Sequence, residues 1–391
     1  MGNETDGTST GRSIRRFQAM NIYLIAGEPS GDRLGAALMA GLTSLHPGVT
    51  FSGVGGPLMQ AEGLTSLFPM EELSIMGIAE VLPKYLHLKR RIAEVAAKVA
   101  ATHPDALITI DSPDFCFRVA KLVKAANPAQ RTIHYVAPSV WAWRPGRAAK
   151  MATYIDHVLA LLPFEPPYMT AHGMTCDFVG HPVVAEPVAT PQPQAAPLLL
   201  ALPGSRQSEV TRLMPIFGQV TGQLAQTHPG LRVALPTVRG VADAVRHLAA
   251  SWPVTPDIIE NADQKRQAFA DATVALAASG TVSLELAANR CPMVIAYDMN
   301  PVTLWLMRRA ALIDTVTLVN LVSGTRHVPE FIGPRCTPAL IAPALADLMS
   351  NGPAREAQIM AMQTTMQRLG QGAEAPGLRA ARSVIAAISA R

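Results

Sequence analysis

Chemistry-bearing residues in this sequence gather in short loops, each directly after an apolar run. The first loop is Gly27-Glu28-Pro29-Ser30-Gly31-Asp32. Its glycines permit a tight turn and close backbone approach. Ser30 or Asp32 can cap the helix that follows, and the N-terminus of that helix can hold an anion. Glu28 adds a carboxylate. The other reading is an ordinary strand–helix turn with a capping Asp. The glycines do not follow GxGxxG, so a dinucleotide fingerprint is not supported. In Ile110-Asp111-Ser112-Pro113-Asp114-Phe115, Asp114 is expected to cap a helix. Asp111, at the strand end, is then available as a general base or hydroxyl-binding group, or as a partner of a backbone amide. Residues 136–147 hold Trp141 and Trp143, with Arg144, Arg147 and Lys150 close behind. Aromatics beside cations suit a phosphate-bearing, partly apolar ligand. A packed aromatic corner with a solvated basic helix start is the alternative.

Two further loops have a different character. Leu202-Pro203-Gly204-Ser205-Arg206 ends an apolar run and opens a long helical pattern, with Glu209 on its first turn. The amides of a Gly-Ser turn plus an arginine make a diphosphate cradle without a Walker lysine. Ala278-Ser279-Gly280-Thr281-Val282-Ser283-Leu284-Glu285 is a second such junction. Glu285 lies four residues beyond Thr281, on the same helix face. A carboxylate there can grip the two hydroxyls of a ribose. The sequence contains no DxD pair. Helix ends and Arg206 must therefore neutralise a diphosphate, and neither metal nor cofactor is expected.

These loops need strands to carry them. Apolar runs at residues 22–26, 50–54, 106–110, 132–136 and 158–162 alternate with helical patterns such as 33–45 and 115–126. A second series has strands at 198–202, 232–236, 273–277 and 292–296, with helices at 208–227 and 280–288. Continuous apolar strands between helices indicate α/β units with parallel sheets covered on both faces. Ligands of such sheets bind beyond the carboxyl ends of the strands, which is where the loops above fall. The chain is read as a disordered tail (1–20), a first unit (21–186), a Pro/Gln/Ala-rich linker (187–197), a second unit (198–351), and C-terminal helices (352–391) packing back across an interdomain cleft.

Composition narrows the function. Of the 391 residues, 49% are hydrophobic and only 16% charged, which leans towards a membrane protein. Yet the long stretch without a formal charge between Glu186 and Arg206 is broken by five prolines and cannot be one spanning helix. Residues 1–19 lack the apolar core of a signal peptide. The net charge of +4 has no run dense enough for a nucleic-acid tail. The cysteines Cys116, Cys176, Cys291 and Cys336 form no CxxC pair, which argues against zinc or a disulfide framework and fits a reducing cytosol. Residues 74–95 mix apolar Ile75, Ile78 and Leu82 with Lys84, Lys89, Arg90 and Arg91, a pattern that suits an interfacial element on anionic lipid. Taken without further context, a core helix with a solvated basic face is the preferred reading, since most amphipathic helices are surface helices of globular proteins.

The motifs resemble those of the lipid-A-disaccharide synthase family. They are GEPSGD at 27–32, residues 54–63, MEELSIMGIAEV at 70–81, residues 110–115, YVAPSVWAWR at 135–144, LPFE at 162–165, and GHP at 180–182. Residues 202–206, 278–285, 291–294 and 319–321 complete the series. The resemblance covers about residues 21–350. It implies an inverting glycosyltransferase of GT-B architecture, two Rossmann-like domains facing a cleft. Its donor is UDP-2,3-diacylglucosamine and its acceptor is 2,3-diacylglucosamine 1-phosphate (lipid X). The products are the β(1→6) lipid A disaccharide 1-phosphate and UDP. The resemblance implies roles for Glu28, Asp111, Arg206, Glu285 and Asn320. Gly204, Ser205, Arg206, Ser279, Gly280, Thr281, Glu285 and Asn320 are then expected on the UDP-sugar side. Ser30, Asp32, Trp141, Arg144, Ile75, Ile78, Leu82, Lys89 and Arg90 are expected on the acceptor or lipid side. The acyl chains favour the interfacial reading of residues 74–95, at the cytoplasmic side of an anionic inner membrane. Pro29 and Cys116 depart from the family pattern, where Thr or Ala and Asn are usual. Two other readings are a different GT-B enzyme, such as a UDP-sugar epimerase or peptidoglycan glycosyltransferase, and a non-catalytic nucleotide-sugar-binding protein.

Overall fold

The computed structural model describes residues 19–73, 81–278 and 280–390. The tail expected at 1–20 therefore lies, up to residue 18, outside the described residues. The first sheet contains β1 (Met20–Ala26), β2 (Val49–Val54), β3 (Thr65–Ser66), β4 (Ala106–Ile110), β5 (Thr132–Tyr135), β6 (His157–Ala160) and β7 (Thr175–Phe178). Their order is β3-β2-β1-β4-β5-β6-β7. Its helices are α1 (Pro29–Leu45), α2 (Pro57–Ala61), α3 (Val81–Thr102), α4 (Pro113–Ala126), α5 (Gly146–Met151) and α6 (Pro166–Thr170). The second sheet contains β8 (Leu198–Leu202), β9 (Arg232–Pro236), β10 (Asp257–Ile259), β11 (Val274–Ala277), β12 (Met293–Tyr297) and β13 (Glu330–Ile332), in the order β10-β9-β8-β11-β12-β13. All its strand pairs are parallel. Its helices are α7 (Gln207–Thr227), α8 (Ala242–Ala249), α9 (Ala262–Asp271), α10 (Val282–Ala288), α11 (Pro301–Ala310), α12 (Leu318–Ser323), α13 (Pro338–Met349) and α14 (Pro353–Arg368). The last helix is α15 (Pro376–Ser389).

The apolar runs form strands because both faces are covered. In the second sheet Leu199, Ala201, Val233, Leu235, Val274 and Leu276 pack with α7, α8 and α13. Their strand neighbours Leu198, Leu200, Leu202, Ala234, Ala275 and Ala277 pack with residues of α10, α12 and α14. This alternation accounts for unbroken apolar strands. The chain divides into two compact units, Met1–His134 with Ala380–Arg391, and Tyr135–Arg379. Residues 135–186 group with the second sheet because Trp141, Leu162 and Val183 join its core. Residues 187–197 form neither helix nor strand. They lie along α9, where Gln192 N donates to Asp271 Oδ1 (2.7 Å) and Gln267 Nε2 donates to Thr190 O (3.0 Å).

Prolines set several helix starts. Pro29 and Pro113 occupy the first turns of α1 and α4. A proline there gives up no helical bond and presets φ, so both helices begin a few residues before the periodic apolar pattern does. No described helix is long and apolar enough to cross a membrane.

Candidate active site

In the second sheet β8 has β9 on one side and β11 on the other, so the chain order reverses between β8 and β11. Loops leaving adjacent strands at such a point diverge and open a crevice. A pocket of about 470 Å³ lies there. It brings together Gly204, Ser205 and Arg206 after β8, Gly280 and Thr281 after β11, and Glu285 on α10. Ser279, expected beside them, is outside the described residues.

Gly204 has φ +110°, and a Cβ there would strike the Glu209 carboxylate. Glu209 Oε2 accepts from the amides of Ser205 (3.2 Å) and Arg206 (3.3 Å), and Oε1 accepts from Arg206 Nη1 (2.9 Å). The turn already holds one anionic group on its backbone amides, as a phosphate-binding turn does. Burial pushes the Tyr297 phenol up, and the adjacent Glu209 carboxylate, on which its hydroxyl donates (3.4 Å), adds to the shift. Lys265, on α9, also lines the pocket, with its Nζ 2.8 Å from Glu285 Oε2. The sequence reading missed Lys265. Its signal was weak, because it sits mid-helix in a polar stretch with no glycine turn nearby.

Asn320 is placed differently. It is buried on α12 and is not among the pocket's lining residues. Its amide donates to Thr315 Oγ1 (3.2 Å) and Val328 O (3.0 Å) and accepts from Val328 N (3.0 Å). That clamps the segment leading into β13.

In the first sheet the order reverses between β1 and β4, where Ala26 lies opposite Ile110. Glu28 and Asp111 are therefore among the first residues past adjacent strand ends. A Cβ on Gly27 would come within 2.7 Å of Ser112 Oγ, so only glycine lets the two loops lie this close. Asp111 (φ 51°) and Ser112 (φ 41°) are both left-handed. Two consecutive non-glycine residues in that region store roughly 1–3 kcal/mol each and tend to mark functional loops. Burial raises the Asp111 carboxyl above its usual range, and the Ser112 amide opposes this only in part. A carboxylate so raised is a better proton acceptor.

Asp32 is corrected by the structure. It does not cap its own helix, whose cap residue is the exposed Glu28 with no capping side chain. Its buried carboxylate instead accepts from the amides of Gly56 (2.9 Å), Leu58 (3.0 Å) and Met59 (3.0 Å), capping α2. Ser30 is exposed on the first turn of α1. Asp114 is likewise a first-turn residue and not the cap, a position held by Ser112.

Trp141 is a packed corner. Its indole donates to Glu165 Oε1 (3.2 Å) and meets Phe164 edge-on at 5.0 Å. Glu165 also accepts from Leu161 N (3.1 Å) and Leu162 N (2.9 Å), and burial pushes its carboxyl up to about 7. Trp143 and Arg144 are exposed, with the guanidinium 4.1 Å from the indole centroid. Ile75 and Ile78 lie outside the described residues, as does the side chain of Leu82. On α3, Leu86, Lys89 and Arg90 are exposed along one face, whereas Arg91 is tied to Glu72 and Glu94.

Two Rossmann-like sheets, one with an anion-holding turn at its strand switch and the other with a left-handed carboxylate residue at its own, give the chain GT-B architecture. Solved structures share the fold. One is a putative UDP-N-acetylglucosamine 2-epimerase from Listeria monocytogenes, with TM-score 0.64, 14% identity, and coverage of 95% of this chain and 96% of that one. Another is the glycotransferase of kitacinnamycin, with TM-score 0.62, 14% identity, and coverage of 95% and 100%. At the level of sequence, the family model for lipid-A-disaccharide synthetase matches residues 22–383. The lipid-A-disaccharide synthase of Ruegeria pomeroyi is 59% identical over 389 residues, 95% of this chain and 96% of the relative. The chain belongs to the lipid-A-disaccharide synthetase family.

Proposed function

We propose that the pocket past β8 and β11 binds the UDP of UDP-2,3-diacylglucosamine, and that Asp111 serves the acceptor, 2,3-diacylglucosamine 1-phosphate. The activity is that of a lipid-A-disaccharide synthase. The 6-hydroxyl of the acceptor attacks the anomeric carbon from the face opposite UDP. Its proton passes to the Asp111 carboxylate, the O6–C1 bond forms, and the C1–O bond to the diphosphate breaks. UDP leaves with the electron pair. The Arg206 guanidinium, the α10 N-terminus and, once the Glu209 carboxylate gives them up, the Ser205 and Arg206 amides stabilise that charge, as positioned donors do in other group transfers. Glu285 takes the ribose hydroxyls, and Glu28 orients the acceptor or shares the role of base.

One observation supports the choice of Asp111 above the rest. It is a carboxyl raised by burial on a left-handed backbone at the β1/β4 switch. The experiment gives purified protein both acylated sugars and follows disaccharide and UDP. Asp111→Asn should keep UDP affinity and lose turnover; near-full turnover would remove Asp111 from the role. An epimerase would act on soluble UDP-sugar without acceptor, and a pure binding protein would release no UDP.

The acyl chains of both substrates support a position at a membrane surface. The exposed Leu86, Lys89 and Arg90 face of α3 supports anionic lipid there, at the cytoplasmic side of the inner membrane.

A further inference from the structure

Helix α11 carries an apolar face that the reaction does not use. Val302, Trp305, Leu306, Met307 and the following Leu312 are between 51% and 66% exposed. Val302, Trp305, Leu306 and Arg309 recur at spacings of three and four and share one face. The helix is anchored from the other side by buried Leu304, which packs so closely on Gly333 that a Cβ there would strike it. The Arg309 guanidinium lies over Trp305 at 5.0 Å from the ring centroid. Just past the helix, Leu312 N donates to Ala142 O (2.9 Å), which brings the neighbouring Trp143–Arg144 stacked pair to the same corner.

We propose that α11 and the Trp143–Arg144 corner form a docking surface for an anionic lipid bilayer. Two exposed Trp–Arg stacks have the amphipathic character of side chains that settle at the headgroup level. The leucine, valine and methionine beside them would enter the acyl boundary. Charge favours a bilayer over a second copy of this chain. Residues 301–310 and 136–155 contain no Asp or Glu, whereas Arg144, Arg147, Lys150, Arg308 and Arg309 fall within them. An isologous pairing would bring these like charges together, while anionic headgroups complement them. The inference rests on the acylated substrates proposed above and adds a second contact, on the unit that holds the UDP pocket.

Flotation of the full chain with phosphatidylethanolamine–phosphatidylglycerol vesicles, and with phosphatidylcholine vesicles, tests it. Wild type should bind the anionic vesicles, and Trp305→Ser/Leu306→Ser/Met307→Ser should bind them roughly tenfold more weakly or worse. UDP affinity should not change, which shows that the variant is folded. Should the triple variant misfold, Arg309→Glu gives the same reading: weaker binding to anionic vesicles alone. Wild-type-like binding by both variants would overturn the inference. If Leu86→Ser/Lys89→Glu/Arg90→Glu then abolished binding, the membrane reading would stand on α3 alone. A triple variant that turned a dimer into a monomer without losing vesicle binding would assign the face to a second copy and overturn the inference. Absence of wild-type binding to any vesicle would overturn both membrane readings while leaving UDP binding and turnover to stand or fall separately.

Discussion

Asp32 ends the GEPSGD loop and looks from its sequence position like a ligand-binding carboxylate. The structure makes it a structural one, and the size of that role can be worked out. Its carboxylate is buried and accepts three backbone amides at 2.9–3.0 Å, from Gly56, Leu58 and Met59. Hydrogen bonds to a charged group contribute about 1.5–3 kcal/mol each, and a buried donor left unmade costs about 1–3 kcal/mol. The three bonds share one carboxylate and relax together, so Asp32→Ala should cost about 3–5 kcal/mol instead of the full sum. Asp32→Asn keeps one acceptor oxygen but gives up the charge and the second oxygen, and should cost about 2 kcal/mol. Gly56→Ala attacks the same contact from the other side, because a Cβ there would strike the Asp32 carboxylate. The double variant should therefore be less destabilised than the sum of the two singles, as expected for residues in direct contact. Urea unfolding followed by tryptophan fluorescence and circular dichroism, with turnover measured per folded molecule below the transition, reads all of this. Asp32→Ala within about 1 kcal/mol of wild type would refute the structural assignment. So would an Asp32→Asn protein of wild-type stability with turnover abolished, because the carboxylate would then be acting on substrate.

Three other outcomes follow from named groups. Asp111→Asn should lower turnover by about 10²–10⁴-fold in a disaccharide-forming assay. Because burial raises the Asp111 carboxyl, the acid limb of the wild-type pH profile should lie above the ordinary carboxylate range, and Asn should remove that limb. Lys265→Met should raise the KM for the UDP-sugar while shifting the melting midpoint little, since the partly exposed Lys265–Glu285 pair contributes no more than about 1 kcal/mol to folding. Titration calorimetry with UDP checks the binding half of that statement. Glu165, pushed up from 4.5 to about 7 by burial, binds its proton more tightly folded than unfolded. Its contribution to stability is thus present below about pH 4.5 and lost as pH rises through about 7, an effect of at most about 3 kcal/mol. Glu165→Gln should remove that component from urea midpoints measured across the range.

The buried strands were legible from sequence because parallel strands covered on both faces leave unbroken apolar runs, as in β4 and β8. The outer strands were not. β7 (TCDF), β10 (DII) and β13 (EFI) are short and partly exposed, so no apolar run announces them. The Gly204–Arg206 and Gly280–Thr281 turns were legible because positive-φ glycines at strand ends leave a local signal. Asp32, Asn320 and Lys265 were not, since what each does depends on a partner 20 or more residues away, or on a loop it clamps. Trp141 was ambiguous between ligand and core, and its bond to Glu165, a residue of a separate motif, decides for the core.

The same strand order is used twice, and the proposed mechanism asks opposite things of the two switches. Past β8 and β11, turns rich in glycine point amides at an anionic group, and helix N-termini add positive potential, so an anion is favoured there. The Glu209 carboxylate already occupies part of that field. Past β1 and β4 the same helix ends would by themselves hold a carboxylate ionised and weakly basic. Asp111 escapes this because its left-handed backbone sets it into a desolvated position, where burial outweighs the Ser112 amide. A group that must take a proton from a hydroxyl needs that raised affinity, whereas a group that must receive a leaving diphosphate needs the opposite field. In the proposed mechanism, the strain at Asp111 and Ser112 is a condition for placing a base at a position the architecture otherwise reserves for anions. Replacing Ser112 by Gly tests the point: relief of strain should stabilise the fold by up to about 1 kcal/mol. It should also let the Asp111 loop relax towards solvent, lowering the pH of the acid limb along with turnover. A Ser112→Gly protein that gained stability with its pH profile unmoved would show that the strain has no part in setting the base.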